Sequence, residues 1–372
     1  MTPDALVLDM GRKFSQERLA VSAAQREKAG AIEPEIIAEL GELGILGATT
    51  PTEWDGSDLD PLTYALLVEE ISAGDGSVST LVSVHNSPTC EVINQFGTPA
   101  QKDRWLRPLA TGRHVGSFGL TEPQAGSDAS NLRTRAIRRG EHYVINGSKQ
   151  FISNAALPGS IVLFAVTDPE AGKRGISCFV VEKGCPGYSV VRKEEKLGQK
   201  ASDTCALAFE DMDVAEDQRI GAEGQGYRIA LSTLESGRIG IAAQSIGLAR
   251  AALEHAVAYA KDRTAFGKPI IEHQAVAFRL VDAKTKLEAA RQLTLHAARL
   301  RAEAKPALEA AAMAKLFASE AAEAVCTAAI QTLGGYGYLA DYPVERIYRD
   351  VRVCQIYEGT SDVQKIILQR ML

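Results

Sequence analysis

Tyr143-Val144-Ile145-Asn146-Gly147, read between two long stretches of helical texture, decides the architecture. Three β-formers run into Asn-Gly, a dipeptide favoured in tight hairpin turns because both positions tolerate positive φ. The expectation is therefore a turn between two strands. Ile161-Val162-Leu163-Phe164-Ala165-Val166 and Ile176-Ser177-Cys178-Phe179-Val180-Val181 continue the β texture, bounded by Asp168-Pro169 and Gly184-Cys185-Pro186-Gly187. Cys205-Ala206-Leu207-Ala208-Phe209 alternates again. From about His114 to Ile220 the pattern predicts a small antiparallel sheet domain, barrel-like.

On either side the period changes to that of helices. Leu62-Thr63-Tyr64-Ala65-Leu66-Leu67-Val68-Glu69-Glu70-Ile71 spaces apolar residues helically with no breaker inside, and Trp105 and Leu109 recur before a stop at Gly112. Beyond Gly226, Ile246, Ala249, Leu253, Val257 and Ala260 follow steps of three and four, as do Leu280, Ala283, Leu287, Ala290, Leu293, Ala297 and Leu300. An alanine-rich run from Ala307 to Leu333 ends at Gly334-Gly335. Short connections between such helices imply an antiparallel bundle. The expected fold class is α+β: an N-terminal α-helical domain over 1–113, a middle antiparallel β-barrel-like domain over 114–220, and a C-terminal four-helix bundle over 221–372.

The 372 residues, 45% hydrophobic and 24% charged, suffice for two or three packed units. A net charge of -6 argues against nucleic acid as a partner, since that affinity rests on neutralising phosphates. Six cysteines with no C-x-x-C pair fit reduced, buried thiols in a cytoplasmic protein better than disulfides or zinc. Met1 to Met10 lacks the basic start and apolar run of a signal peptide, and the apolar stretch Ile161–Val166 is far too short for stable membrane insertion. No G-x-G-x-x-G after a strand, P-loop, H-E-x-x-H or G-x-S-x-G occurs, and no metal ligands cluster.

Three segments combine residues suited to chemistry. Gln355-Ile356-Tyr357-Glu358-Gly359-Thr360-Ser361-Asp362 sets a carboxylate beside a glycine, followed by hydroxyls able to cap a last helix whose amides suit a polar or anionic ligand. Phe118-Gly119-Leu120-Thr121-Glu122-Pro123-Gln124-Ala125-Gly126-Ser127-Asp128 lets backbone approach a flat or phosphorylated ligand. Asn146-Gly147-Ser148-Lys149-Gln150-Phe151-Ile152-Ser153-Asn154 puts Phe151 and Ser153 on one face of a strand, an aromatic wall beside a hydroxyl. Taken singly, each reads equally well as a helix cap, a crossover or a core aromatic.

Together, and in this order, these motifs resemble the acyl-CoA dehydrogenase family, most closely its short-chain, butyryl-type members. The resemblance extends from Val68-Glu69-Glu70-Ile71-Ser72 and Ser83-Val84-His85-Asn86-Ser87 to Tyr357-Glu358-Gly359-Thr360-Ser361. It implies FAD as cofactor, with Phe118, Leu120, Thr121, Gly126 and Ser127 along the flavin and its pyrophosphate and Ser127 also near the substrate. Phe151, Ile152 and Ser153 stand where the family has W-I-T beside the isoalloxazine, so the outer two positions depart from it. Arg263, Phe266 and Gln274 match contacts to the FAD of a neighbouring subunit, Gln331, Gly334 and Gly335 match a loop wrapping the same cofactor, and Thr360, Ser361 and Asp362 complete the flavin site. Glu235, Arg238 and Gly359 would bind the acyl-CoA substrate. Trp54-Asp55-Gly56 departs from the family's aromatic-Gly-Gly.

The activity so implied is oxidation of an acyl-CoA to its trans-2-enoyl-CoA by a homotetramer, a dimer of dimers, that passes electrons to electron-transfer flavoprotein. Glu358 would be the base. Some members carry the base on the helix of Glu235-Ser236-Gly237-Arg238, but the matching residue here, Gly237, has no side chain. Two alternatives are an oxidase or unusual-thioester enzyme on the same fold, and a non-catalytic acyl-CoA-binding or assembly protein.

Overall fold

The computed structural model describes residues 3–372. Helices α1 (Pro3–Phe14), α2 (Ala23–Ala29), α3 (Pro34–Glu42), α4 (Pro61–Gly74), α5 (Gly76–Val84), α6 (Glu91–Phe96), α7 (Pro99–Gln101) and α8 (Arg107–Ala110) come first. Aspartates set two key starts. The Asp60 carboxylate accepts from Leu62 N at 2.8 Å and Thr63 N at 3.2 Å, with Pro61 at the first helical position. Asp75 does the same for α5, accepting from Ser77 N at 2.7 Å and Val78 N at 3.1 Å. Its other oxygen accepts from the buried Arg26 Nη1 at 2.6 Å. α4 is apolar on nearly every side and is buried along most of its length.

Strands β1 (Val115–Gly119), β2 (Arg135–Arg139), β3 (His142–Ser153), β4 (Gly159–Val166), β5 (Ile176–Glu182), β6 (Tyr188–Lys193), β7 (Thr204–Ala215) and β8 (Arg219–Ile220) form one sheet in the order β6-β7-β3-β2-β4-β5-β8. Alternation along β4 feeds two cores: Ile161, Leu163 and Ala165 pack with Tyr143, Phe179 and Phe209, while Val162 and Phe164 pack with Leu106, Val180 and Ile229.

Two expectations need correction. The sheet is mixed, because β1 runs parallel to β4, Val115 facing Gly159 and Gly119 facing Leu163. The β2–β3 pair intervenes between them, and such a crossover permits parallel pairing that a hairpin forbids. Nor do Asn146 and Gly147 form a turn, for β3 passes straight through them. The register with β7 jumps between Ile145 and Gly147, which makes this a bulge. Gly147 is needed there: its φ is +150° and a Cβ would stand 2.6 Å from Thr134 Cα. The actual turn joins β2 to β3 at Gly140, φ +66°.

Three long helices follow, α9 (Gly226–Asp262), α10 (Gln274–Ala302) and α11 (Leu308–Leu333), with the shorter α12 (Pro343–Val351) and α13 (Ser361–Gln369) against α11. α4 joins the long three, so that Leu67, Val68 and Ile71 share a core with Ile239, Ile246, Ala290 and Ala314. A buried polar network ties the three parts together. Gln244 Nε2 of α9 lies 2.6 Å from Ser79 Oγ and 2.8 Å from Thr80 Oγ1. Thr80 donates to Gln199 Oε1, Gln199 Nε2 donates to Asp350 O at 3.0 Å, and Tyr357 OH donates to Gln244 Oε1. Among the described residues no helix is long and apolar enough to cross a membrane.

The α4–α9 contact depends on a missing side chain. A Cβ on Gly247 would stand 2.2 Å from the Glu69 carbonyl oxygen and 2.7 Å from Ser72 Cβ. Gly247→Ala should therefore lower unfolding free energy by about 1–3 kcal/mol despite the better helix propensity of alanine, as read by denaturant titration.

Candidate active site

Glu358 sits on the loop between α12 and α13 with φ +54°, followed by Gly359 at +88°. Two successive left-handed residues turn the chain sharply, and the second must be glycine also because a Cβ would stand 2.8 Å from Gln364 Nε2. Gln364, fully buried, donates to Gly359 O at 2.9 Å and Glu358 O at 3.3 Å. Lys315 Nζ of α11 donates to Gly359 O at 2.7 Å. The expected cap is present, Thr360 Oγ1 accepting from Val363 N at 3.2 Å. Ser361 Oγ is buried without a partner, whereas Asp362 is exposed.

The Glu358 carboxylate points at Gly237. A Cβ there would lie 2.6 Å from Oε2 and 3.1 Å from Cδ. Oε2 is buried with no hydrogen-bond partner. Burial pushes the Glu358 carboxyl up to about 7, against the opposing pull of Arg238 and Lys315. Arg238 is 6% exposed and its Nε and Nη1 are buried without acceptors. Burial holds its guanidinium below the ordinary value, with Glu358 and Glu235 opposing. Glu235, expected at the ligand, accepts from Arg301 Nη1 at 3.1 Å, and Arg301 also bonds Glu91. Its carboxylate is thus engaged within the protein.

The 118–128 and 151–153 segments are braced by a buried ion pair. Lys149 Nζ donates to Glu122 Oε1 at 2.8 Å and to Leu120 O at 3.0 Å. Glu122 Oε2 accepts from Arg133 N at 2.6 Å, and Gln150 N donates to Thr121 O at 2.9 Å. Leu120 and Ile152 are buried and Phe118 packs edge-on to Phe164, which leaves Thr121 and Ser153 half-buried and Gly126, Ser127 and Phe151 exposed. Phe151 is 63% exposed with φ +60° at a register irregularity, so it is held out from the strand.

The remaining expected cofactor residues gather beyond the end of α9. Arg263, Gly334 and Gly335 line an open cavity of about 570 Å³ with Tyr259, Thr332 and Tyr336. The Arg263 guanidinium lies 5.7 Å from the Tyr336 ring centre. Phe266, φ +51°, is 96% exposed on the tip of a short hairpin, and Gln274 and Gln331 are exposed. Lys149, Glu122, Lys315 and Gln364 were not anticipated from sequence. The available signal was a lysine inside Ala311-Ala312-Met313-Ala314-Lys315, on the buried stripe of a helix.

Family models described as acyl-CoA dehydrogenase N-terminal, middle and C-terminal domains match residues 4–113, 117–212 and 224–372. The short-chain specific acyl-CoA dehydrogenase of Clostridium acetobutylicum is 43% identical over 363 residues, covering 98% of this chain and 96% of the relative. Butyryl-CoA dehydrogenase from Megasphaera elsdenii superposes with TM-score 0.96 at 42% identity, covering 100% of this chain and 98% of that one. A chain in a structure described as the electron transferring flavoprotein of Acidaminococcus fermentans superposes with TM-score 0.97 at 46% identity, with the same coverage of both chains.

Any side chain at residue 237 must displace the Glu358 carboxylate. If that carboxylate takes part in the chemistry, Gly237→Ala should cut turnover at least about tenfold, while bound cofactor is unchanged by its absorbance.

Proposed function

The chain belongs to the acyl-CoA dehydrogenase family, and we propose that Glu358 is its catalytic base. It is an FAD-dependent oxidoreductase that converts a short-chain acyl-CoA thioester to the trans-2-enoyl-CoA. The observation that carries the base assignment is the buried, unpartnered Glu358 Oε2 facing a residue without a side chain.

The residues present fit FAD. Beyond its own chain neighbours, a Cβ built on Gly126, Gly334 or Gly335 would meet nothing within 4 Å, so these backbones leave room for close approach. Ser361 Oγ is an orphaned buried hydroxyl, and Phe151 offers an open ring. We assign Phe118, Leu120, Thr121, Gly126, Ser127, Phe151, Ile152, Ser153, Thr360, Ser361 and Asp362 to one flavin, and Arg263, Phe266, Gln274, Gln331, Gly334 and Gly335 to that of a neighbouring subunit. When bound, FAD accepts the hydride that leaves the substrate β-carbon.

Glu358 takes the α-proton of the thioester. It must be ionised to do so, and a carboxyl titrating at about 7 is a stronger base than a solvated one while still available at neutral pH. The negative charge that develops on the thioester oxygen needs donors aimed at it. The Glu358 N–H donates to no acceptor among the described residues, and we assign it as one of them. Arg238 and Gly359 adjoin the same spot and are assigned to the substrate, with Ser127 at the flavin edge. Glu235, held by Arg301 Nη1 at 3.1 Å, is assigned to the substrate as well.

We further assign electron-transfer flavoprotein as acceptor, the cytoplasm as location, fatty-acid β-oxidation as pathway and a homotetramer as assembly. The exposed Phe266 and the Arg263 cavity support the last, since they are shaped for something outside the chain.

Glu358→Gln should retain FAD and bind enoyl-CoA normally, yet butyryl-CoA should no longer bleach the flavin under anaerobic conditions. Bleaching at the wild-type rate would refute the base. In the wild type that rate should rise with pH through about 7 as Glu358 ionises. Light scattering should give a mass near four chains, and an active single chain would exclude the shared cofactor site.

A further inference from the structure

We infer that Lys315 is a positioning residue for the reaction: with Gln364 it fastens the peptide that carries Glu358, and it supplies a second buried positive charge beside that carboxylate. The inference rests on the assignment of Glu358 as base.

Lys315 occupies the buried stripe of α11, flanked by Ala311, Ala314 and Ala318, and is itself fully buried. Its ammonium forms no ion pair among the described residues, and its one hydrogen bond goes to Gly359 O at 2.7 Å. A buried ammonium with a single carbonyl acceptor is a costly group to retain, and an aliphatic side chain would suit the alanine stripe better. Its placement therefore serves something other than stability. The carbonyl it holds belongs to the second of two left-handed residues, and Glu358, the first, has a Cβ that disfavours that conformation. Lys315 from α11 and Gln364 from α13 grip this turn from two sides, at 2.7 Å and 2.9 Å on the same oxygen. Freed of the grip, the peptide has every reason to relax, and the carboxylate would swing from its place over Gly237.

The charge acts as well. The titratable and charged protein groups facing Glu358 are Arg238 from α9 and Lys315 from α11, both cationic, while the Cys354 thiol faces Lys315 from the segment after α12. Burial lowers the Lys315 ammonium to about 8, which leaves it predominantly charged at neutral pH. Removing that charge disfavours ionised Glu358, so the base becomes available only at higher pH.

The test compares Lys315→Met, which removes grip and charge, with Lys315→Gln, which keeps an N–H donor but no charge. Anaerobic reduction of enzyme-bound FAD by butyryl-CoA is followed across pH, together with FAD content and enoyl-CoA affinity. Both variants should hold FAD and enoyl-CoA as the wild type does, and in both the midpoint of the rise in rate should move up by about one pH unit. Lys315→Met should also lose about tenfold in the plateau rate, which Lys315→Gln retains in large part. A wild-type midpoint in Lys315→Gln overturns the electrostatic role even if Lys315→Met fails to fold. A wild-type plateau in Lys315→Met overturns the grip. Failure of the underlying reading is separately visible, because bleaching of the Glu358→Gln enzyme would remove the base whatever the Lys315 variants do.

Discussion

The network of Thr80, Gln199, Gln244, Asp350 and Tyr357 is the constraint on which the active site depends. Each member comes from a different segment: α5, the turn before β7, α9, α12 and the loop that carries Glu358. All are buried or nearly so, and a buried amide or hydroxyl left without its partner is destabilising, so the five fix one another. Tyr357 is the last link and Glu358 the next residue. The position of the carboxylate is thereby referred to all three parts of the chain at once. Gly198 shows how tightly the joint closes, for its backbone lies against the Arg349 carbonyl with no room for a Cβ.

Buried charge is treated in two ways in this protein. Arg26 is bonded to Asp75 and Glu33, and Lys149 to Glu122, so each cation is neutralised and its geometry locked. Such pairs brace the entry to α5 and the 118–128 segment. Around Glu358 the pattern differs: the carboxylate oxygen, the Arg238 guanidinium and the Lys315 ammonium are near one another yet incompletely bonded. Charges left short of partners in a dry pocket are what perturbs titration, and they mark the place where a ligand is to complete the set.

The α–β–α order and the Glu358 loop were legible in the sequence because each has a local cause. Helical and strand periods leave their print on neighbouring residues, and Glu-Gly-Thr-Ser encodes a sharp turn followed by a cap. Asn146-Gly147 misled for the same reason. The dipeptide reports only that positive φ is tolerated, and Gly147 uses that freedom in a bulge against Thr134, a contact from outside the local sequence. Parallel pairing of β1 with β4 was likewise invisible, since register between strands far apart in sequence is set by packing. Lys315 and the Thr80–Gln199–Tyr357 links join residues separated by long stretches of chain, and only the folded arrangement brings them together. Glu235 was placed on the right helix, but its partner Arg301 lies on another, so its engagement could not be foreseen.

Gly237 also bears on how such an enzyme can change over time. A Cβ at 237 would stand 2.6 Å from Glu358 Oε2, so a side chain there and the carboxylate in its present place compete for one space. A residue gained at this point of α9 therefore arrives together with a displaced Glu358, and the two positions cannot vary independently. The glycine couples a helix to a loop far along the chain, so that a substitution at one is judged by what stands at the other.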